Sequence, residues 1–304
     1  MFFERAEDIE RGLSLIPRLG EVMPEEAGKE VGSVYERTRT HLRVPVVNFL
    51  FRSLANYPPY LSLAWDRVEP HLLAPRFEGA ADALRSQSLV EPVSDSTDWA
   101  SLGDLSQIRA FTDTIHYVLP KLLLVSSAFD EGLGGEKGAA DGPEEAAGVR
   151  PGLAEGTTSV APVGPDEASQ APEEIFEEIR ERHGHPDVAS YYRGIARWPE
   201  FLKVAWERMN PLVGTPAYQE RKHDLLEAAR HHALGLPLPS RSEVVERGVD
   251  EQRIGELRAI LAVFRFRLNP DTLLDVSLIK ALLDGPEAAR SSRFSFAARR
   301  HPSP

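Results

Sequence analysis

The sequence of 304 residues contains no cysteine, which excludes disulfide scaffolds, thiolate zinc sites, iron–sulfur clusters and cysteine nucleophiles. Lysine and arginine number 35 against 47 for aspartate and glutamate, and this balance argues against nucleic-acid binding because phosphate contacts need clustered basic residues. No apolar run approaches the roughly 18 residues of a membrane-spanning helix. Residues 1–16 include Glu4, Arg5, Asp8 and Glu10 and therefore lack the apolar core of a signal peptide. We expect a soluble, cytoplasmic protein whose chemistry uses oxygen, nitrogen or bound water.

Aromatic residues are missing between Phe129 and Phe176, and the stretch 131–171 is rich in Gly, Ala, Glu and Pro. This composition predicts a flexible acidic linker. Residues 130–182 include 14 acidic and 4 basic residues, so this stretch carries 10 of the 12 excess negative charges. The predicted segments are a first helical repeat at 1–130, the linker at 131–171, a second helical repeat at 172–290 and a basic tail at 291–304.

The segments on either side of the linker resemble each other. Residues 45–70 read PVVNFLFRSLANYPPYLSLAWDRVEP and residues 186–211 read PDVASYYRGIARWPEFLKVAWERMNP, an offset of 141 without a gap. Ten of the 26 pairs are identical, among them Trp65 with Trp206. The pattern predicts a tandem duplication.

Apolar residues in each half recur at spacings of three and four, the period of an amphipathic helix. They are Ile108, Phe111, Ile115, Val118 and Leu122 in the first half and Leu257, Leu261, Phe264 and Leu268 in the second. Alternating β-branched runs and Asn-Gly hairpins are lacking. We predict an all-α fold of two pseudo-symmetric helical repeats, which form a pseudo-dimer with an interface cleft where ligand sites tend to lie.

Two polar patterns are candidates for chemistry. Glu220 and His223 have the Glu-x-x-His spacing of di-iron bundles, but a second such pair is missing, so we predict neither a metal nor a cofactor. The stretch 183–193 holds two histidines, an aspartate, a serine and two tyrosines at the predicted interface. Asp187 follows Pro186, which also suits the first turn of a helix. A functional and a purely structural interpretation of this stretch both stay open.

Several motifs resemble the group I 2-haloacid dehalogenases, also called halocarboxylic acid dehalogenases. They are Tyr35-Glu36, Leu42-Arg43-Val44-Pro45, Pro58, Tyr60-Leu61, Leu63-Ala64-Trp65, Pro120-Lys121, Ala196, Trp198-Pro199 and Leu283-Asp284-Gly285. The resemblance covers roughly residues 30–129 and 172–290 in the same order. It implies an all-helical pseudo-dimer in which an aspartate activates water. That water attacks C2 of a 2-halocarboxylic acid directly, with inversion and without a covalent enzyme intermediate.

The resemblance also assigns positions in the pocket. Counted back from Trp198-Pro199, the family's serine falls on Ser190 and its general-base aspartate falls on Tyr191. A tyrosine, with an unperturbed pKa of about 10, is a poor base for water. The family's pocket Trp, Phe, Asn and Tyr fall on Val46, Phe49, Leu119 and Arg265.

Three functions stay open at this point. The first is dehalogenation with relocated machinery: Asp187 lies four residues before Tyr191, one helical turn away, and would be the base. His185 is the alternative base, and Arg265 would bind the substrate carboxylate. The second function is a different hydrolase or lyase that acts on a small organic acid. The third is a non-catalytic binder of a small carboxylic acid, or a protein kept for its fold. A homodimer is a candidate assembly.

Overall fold

The computed structural model describes residues 5–90, 97–138, 148–163 and 170–294. Every regular element in these ranges is a helix, so the predicted all-α fold is confirmed. The α-helices are α1 Ala6–Leu19, α2 Lys29–Leu42, α3 Phe49–Leu54, α4 Pro58–Val68, α5 Pro75–Gln87, α6 Leu105–Leu133, α7 Gln170–His183, α8 Ser190–Ile195, α9 Pro199–Met209, α10 Pro216–Ala233, α11 Arg241–Glu246, α12 Glu251–Val263, α13 Asn269–Asp284 and α14 Pro286–Ala289. A π-helix, Phe264–Leu268, joins α12 to α13, and 3₁₀ turns occupy Glu69–His71 and Trp99–Leu102. None of the helices in the described ranges is long and apolar enough to cross a membrane.

Helix starts follow from prolines and capping side chains. Pro58, Pro75, Pro199 and Pro216 lie in the first turns of α4, α5, α9 and α10. Proline is tolerated there because the first N–H groups of a helix have no partner within the helix. The carboxylate of Asp104 accepts hydrogen bonds from two backbone N–H groups in the first turn of α6. The starts of these helices are thus determined by residues at or next to the first turn.

The helix bounds repeat with the offset seen in the sequence. Helices α2, α3 and α4 recur as α7, α8 and α9 with both bounds shifted by 141 positions, and α5 and α10 share the same shifted start. Trp65 on α4 and Trp206 on α9 are both buried. This repetition supports the pseudo-dimer, whose internal symmetry in space stays a prediction.

The long helix α6 of the first half corresponds to α12, the π-helix and α13 in the second. Ala110 and Ala259, which lie in similar Ile/Leu-Arg-Ala segments, are 149 positions apart, whereas Pro120 and Pro270 are 150 apart. The π-helix lies between these two pairs, and a π-turn accommodates one extra residue within an α-helix. We infer that it absorbs a one-residue insertion. Helices α6 and α13 pack along each other at the centre of the protein.

Residues 148–163, one of the described parts of the predicted linker, make backbone contacts with both halves. The ends of the predicted linker are helical, because α6 extends to Leu133 and α7 begins at Gln170. The N–H of Gly148 donates to the Leu73 carbonyl at 2.8 Å, and that of Val163 donates to the Arg193 carbonyl at 3.0 Å. The predicted segment bounds stay predictions. Residues 91–96, 139–147, 164–169 and 295–304 lie outside the described residues, including parts of the predicted linker and most of the predicted tail.

Candidate active site

A small cavity of about 50 Å³ lies where α3, α6 and α8 meet the π-helix and the start of α13. We call it the interface cavity. Its lining residues are Asn48, Phe49, Leu50, Ile115, Leu119, Leu122, Ala189, Ser190, Tyr191, Phe264, Leu268, Asn269 and Thr272. Both halves of the chain contribute: α3 and α6 belong to the first half, and α8, the π-helix and α13 belong to the second.

Twelve of the thirteen lining residues, all except Leu268, form pairs at matched positions of the two repeats. The pairs are Asn48 with Ala189, Phe49 with Ser190, Leu50 with Tyr191, Ile115 with Phe264, Leu119 with Asn269 and Leu122 with Thr272. The first three pairs have the offset of 141, and the others have the offsets of 149 and 150 on either side of the insertion. Matched positions of the two repeats therefore line the same cavity.

The two walls differ in polarity. The second half supplies Ser190, Tyr191, Asn269 and Thr272, whereas Asn48 is the one polar residue that the first half adds to the lining. Apolar side chains form the rest of the first-half wall. The cavity therefore has a polar side and an apolar side, a division suited to a small amphipathic ligand.

An arginine outside the lining orients the serine. Arg52 donates to the Ser190 hydroxyl oxygen at 3.0 Å and is itself held by Glu21, whose carboxylate accepts from Nε at 2.5 Å. A hydroxyl has one proton to donate. Because the Ser190 oxygen already accepts from a permanent cation, its proton is available to a ligand. Arg193, the counterpart of Arg52 in the repeat, also binds Glu21, at 3.1 Å.

Two amides complete the polar groups of the lining. Asn269 donates to the Ser126 hydroxyl at 3.0 Å and to the Leu122 carbonyl at 3.3 Å, which fixes it against α6. The Oδ1 atom of Asn48 is buried and has no hydrogen-bond partner among the described residues. A buried polar atom without a partner is costly, so Asn48 is available to hydrogen-bond a ligand or water.

Tyr191 is unsuited to act as a base. Its ring stacks on Phe111 with centroids 5.7 Å apart, and its hydroxyl shares a 2.9 Å hydrogen bond with Thr112. Burial raises the pKa of the Tyr191 phenol above its ordinary value. The phenol therefore stays protonated and contributes a hydrogen-bonding group rather than a negative charge.

The structure brings together four of the predicted site residues, Phe49, Leu119, Ser190 and Tyr191, in one cavity. Val46 and Asp187 do not line it. Asp187 is half-buried two residues before the lining residue Ala189, and its Oδ1 accepts from the backbone N–H of Val188 at 2.7 Å. Its role as a base stays a prediction. No carboxylate and no imidazole occurs among the described lining residues.

Arg265 lies outside the cavity lining. Its guanidinium donates to Asp130 at 2.7 Å and to Glu131 at 2.5 Å, and Arg5 binds the same Asp130 at 2.7 Å. These bonds occupy the planar fork that a substrate carboxylate would need. Arg265 thus belongs to an ion network between α6 and the π-helix. This geometry does not support the predicted contact between Arg265 and the substrate carboxylate.

His185 belongs to a buried polar cluster behind the second-half wall. It contacts Asp271 at 3.0 Å, and Lys222 binds the two oxygens of that carboxylate at 2.7 and 2.8 Å. His183, stacked on His185 at 4.8 Å, lies 2.9 Å from Asp275. We call these five residues the second-half cluster.

Charges within the second-half cluster control its protonation. Although burial opposes charge, Lys222 holds the pKa of Asp271 well below its usual range. Burial lowers the pKa of His185, whereas Asp275 outweighs burial and raises the pKa of His183. Nitrogen and oxygen atoms of His183, His185 and Asp271 lie within 4.8 Å of one another, as in a metal site. The Lys222 ammonium already supplies a cation there, so we assign no metal.

The sequence prediction missed Asn48, Arg52, Asn269 and Thr272. Asn269 had a detectable signal, because Asn269-Pro270 matches Leu119-Pro120 once the insertion is allowed for. The resemblance places the family's pocket asparagine at Leu119, and in this chain an asparagine occupies the matched position of the other half, Asn269. Arg52 had no such signal, since an arginine common to both repeats is equally typical of a solvated helix face.

Comparison with known proteins agrees with this arrangement. The sequence profile of the family described as halocarboxylic acid dehydrogenase DehI matches residues 45–192. The configuration-inverting 2-haloacid dehalogenase of Alcaligenes xylosoxydans xylosoxydans is 30% identical over 279 residues, which cover 87% of this chain and 94% of the relative. The (R)-2-haloacid dehalogenase of Pseudomonas putida is 28% identical over 258 residues, covering 80% of this chain and 86% of the relative.

Solved structures show the same fold. A D-2-haloacid dehalogenase mutant in complex with D-2-CPA is similar with a TM-score of 0.79, and a D-2-haloacid dehalogenase in complex with L-LA with a TM-score of 0.77. Each is 26% identical, and the similarity covers 87% of this chain and 96% of the other. Since similarity in both sequence and fold extends over most of each chain, this protein belongs to the DehI-type family of 2-haloacid dehalogenases.

Proposed function

We propose that this protein hydrolyses 2-halocarboxylic acids in the interface cavity and releases halide. The observation that carries the proposal is the division of this cavity into a polar and an apolar wall, at positions that the family resemblance assigns to the pocket. A 2-halocarboxylate has the same division, with a carboxylate at one end and a carbon–halogen bond at the other. Relatives with this activity match nearly the whole chain, which supports the same assignment.

The polar wall suits the substrate carboxylate. The Ser190 hydroxyl, whose oxygen is bound by Arg52, donates to it. On the opposite wall the Oδ1 atom of Asn48 is an acceptor without a partner among the described residues, which suits a hydrogen bond from water. The halogen and the alkyl group lie against Phe49, Leu119 and Leu122. Aromatic and aliphatic surface excludes bulk water, which strengthens each polar contact with the reacting groups.

Hydrolysis needs a base that takes a proton from the attacking water. We assign this role to Asp187, the carboxylate two residues before the lining residue Ala189. Water attacks C2 opposite the halogen, the carbon–halogen electron pair leaves with the halide, and the water proton passes to Asp187. The products are a 2-hydroxycarboxylate of inverted configuration, halide and a proton that returns to solvent. Phe266, Arg265 and the second-half cluster take no part in these steps.

Halide release from D- and L-2-chloropropionate and from bromoacetate tests the proposal. We expect release by the wild-type protein and a loss of about 10²-fold or more in Asp187→Asn, the usual contribution of a general base. Asp224→Asn is the matched control, because Asp224 is an exposed aspartate on α10 and its loss leaves the rate unchanged. Release that persists in Asp187→Asn would contradict the assigned base, and no release from any substrate would contradict the function.

The partner implied by this function is a small carboxylic acid. The predicted homodimer and the predicted cytoplasmic location stay proposals. Light scattering on the purified protein tests the first, and fractionation of cells that express the untagged chain tests the second.

A further inference from the structure

A second, larger depression lies on the other side of the π-helix. It has a volume of about 490 Å³, against about 50 Å³ for the interface cavity, and lies between α1, α10 and the π-helix. We call it the N-terminal groove. Its apolar wall consists of Ile9, Leu13 and Phe266, and two cationic side chains, Lys222 and Arg267, lie at the same surface.

Arg267 is a cation without a counter-ion in the described part of the chain. It forms no hydrogen bond or ion pair there, not even with Glu10 across the groove. Burial lowers the pKa of Lys222, and the nearby charge of Arg267 lowers it further. The two cations thus repel each other, and the carboxylate of Asp271 pairs with the lysine. This arrangement lacks an anion beside Arg267.

We propose that the N-terminal groove binds a monocarboxylic acid with an apolar body, distinct from the substrate site. The carboxylate pairs with the planar fork of Arg267, which matches two carboxylate oxygens. The apolar body lies along Ile9, Leu13 and Phe266. A volume of about 490 Å³ suits a ligand larger than a haloacid. The lining also includes Glu10, Gln219 and His223, so the groove combines apolar surface with polar groups of both signs.

The two sites use different faces of one π-helix. Phe264 and Leu268 line the interface cavity, whereas Phe266 and Arg267 line the groove. No residue lines both. Binding in the groove can therefore be measured without reference to halide release.

Isothermal titration of hexanoate into the full-length protein at low ionic strength tests the proposal. We expect binding of hexanoate, weaker binding of acetate, which lacks the body, and no binding of hexylamine, which lacks the anion. Arg267→Gln should weaken hexanoate about ten- to a hundredfold, the usual effect of losing a charged hydrogen bond. The variant should fold normally because Arg267 makes no bonds in the described residues. Arg247→Gln, the loss of an exposed arginine elsewhere, should leave the affinity unchanged.

A second variant tests the apolar part of the groove. Leu13→Trp fills it without a change of charge and should also abolish hexanoate binding. Absence of hexanoate binding to the wild type, or equal affinity in Arg267→Gln, would overturn the proposal. So would loss of binding in Ser190→Ala, because hexanoate would then occupy the interface cavity. A failure to release halide leaves these outcomes unaffected, so the two proposals fail separately.

Discussion

The two halves of this protein share their helices and differ in what they bury. At five matched positions, 141 residues apart, the first half has an apolar side chain and the second a polar one. The pairs are Leu42 with His183, Val44 with His185, Phe51 with Tyr192, Phe77 with Tyr218 and Ala81 with Lys222. All ten side chains are buried. At these five positions the same backbone thus carries apolar side chains in one repeat and polar side chains in the other.

The interface cavity follows the same division, because most of its polar groups come from the second half. The helices of the two repeats keep matched bounds although their buried residues differ. Their starts depend on first-turn prolines and capping residues, which lie outside the buried face. Interior residues are free to change provided that each new polar group finds a partner. Tyr192 and Tyr218 illustrate this, since both donate to Asp275, at 2.6 and 3.0 Å. The two repeats thus keep the same helices and place their buried polar groups at different positions.

The first half has a buried ion pair of its own, with the signs exchanged between helices. Lys121 on α6 donates to Glu78 on α5 at 2.5 Å and to Tyr117 at 2.7 Å. In the second half the long helix supplies the anion, Asp271, and α10 supplies the cation, Lys222. Lys121 and Asp271 are matched positions once the insertion is counted. Each repeat therefore has a buried ion pair between its long helix and a neighbouring helix, and the signs of the two charges are exchanged.

Removing the cation from each pair should have the largest effect. Lys222→Met and Lys121→Met each leave a buried carboxylate without its ammonium, and we expect a loss of about 3–5 kcal/mol in the free energy of unfolding. Urea denaturation at pH 7 measures it. Adding Asp271→Asn to Lys222→Met should recover much of the loss, because the uncompensated charge is gone. A loss below about 1 kcal/mol in either single variant would show that neighbouring histidines or arginines replace the lysine.

Exchanging Asn269 for its first-half counterpart should come next. Asn269→Leu removes the donor to Ser126 and to the Leu122 carbonyl, which should cost about 1–3 kcal/mol of stability and reduce halide release. Leu119→Asn in the same chain restores an amide at the matched position on the opposite wall. We expect this double variant to regain part of the activity. Recovery of halide release would show that the amide functions from either wall. No recovery would show that the amide is needed on the second-half wall.

The sequence was sufficient for the fold and for part of the site. Periodicity and the repeat predicted the all-α fold, and the motif around Trp198-Pro199 led to Ser190 and Tyr191 in the cavity. Arg265 could not be placed, because helical spacing does not show whether a buried arginine meets a ligand or an acid from another helix. Its partners, Asp130 and Glu131, lie more than 130 residues away. Contacts across such distances follow from packing and have no local signature.

A glycine in each half should give effects of opposite sign. An added Cβ on Gly194 would lie 2.5 Å from the Phe111 ring, which is itself stacked on Tyr191. Gly194→Ala should therefore cost about 1–2 kcal/mol by overpacking, even after the gain in helix propensity. Gly79→Ala on α5 has open space around it and should gain about 0.5–1 kcal/mol. Thermal unfolding compares them, and equal signs would contradict the close packing of α8 on α6.

The smallest effect concerns the pH dependence of stability. Burial, with Arg85 and Lys280 nearby, holds the pKa of His116 on α6 well below its usual value. Below pH 6.5 the unfolded chain therefore binds a proton at this histidine that the folded chain does not. The free energy of unfolding should fall by about 1 kcal/mol from this group between pH 7.5 and 5.5. In the second half, His185 acts in the same direction and His183 in the opposite one. Urea denaturation of wild type and His116→Gln at both pH values isolates the contribution of His116, because the variant should lack this part of the decrease.

The control is His223→Gln, a change at an exposed histidine, which should retain the full decrease in the free energy of unfolding. An equal pH dependence in wild type and His116→Gln would show that His116 takes up its proton as readily in the folded state as in the unfolded state.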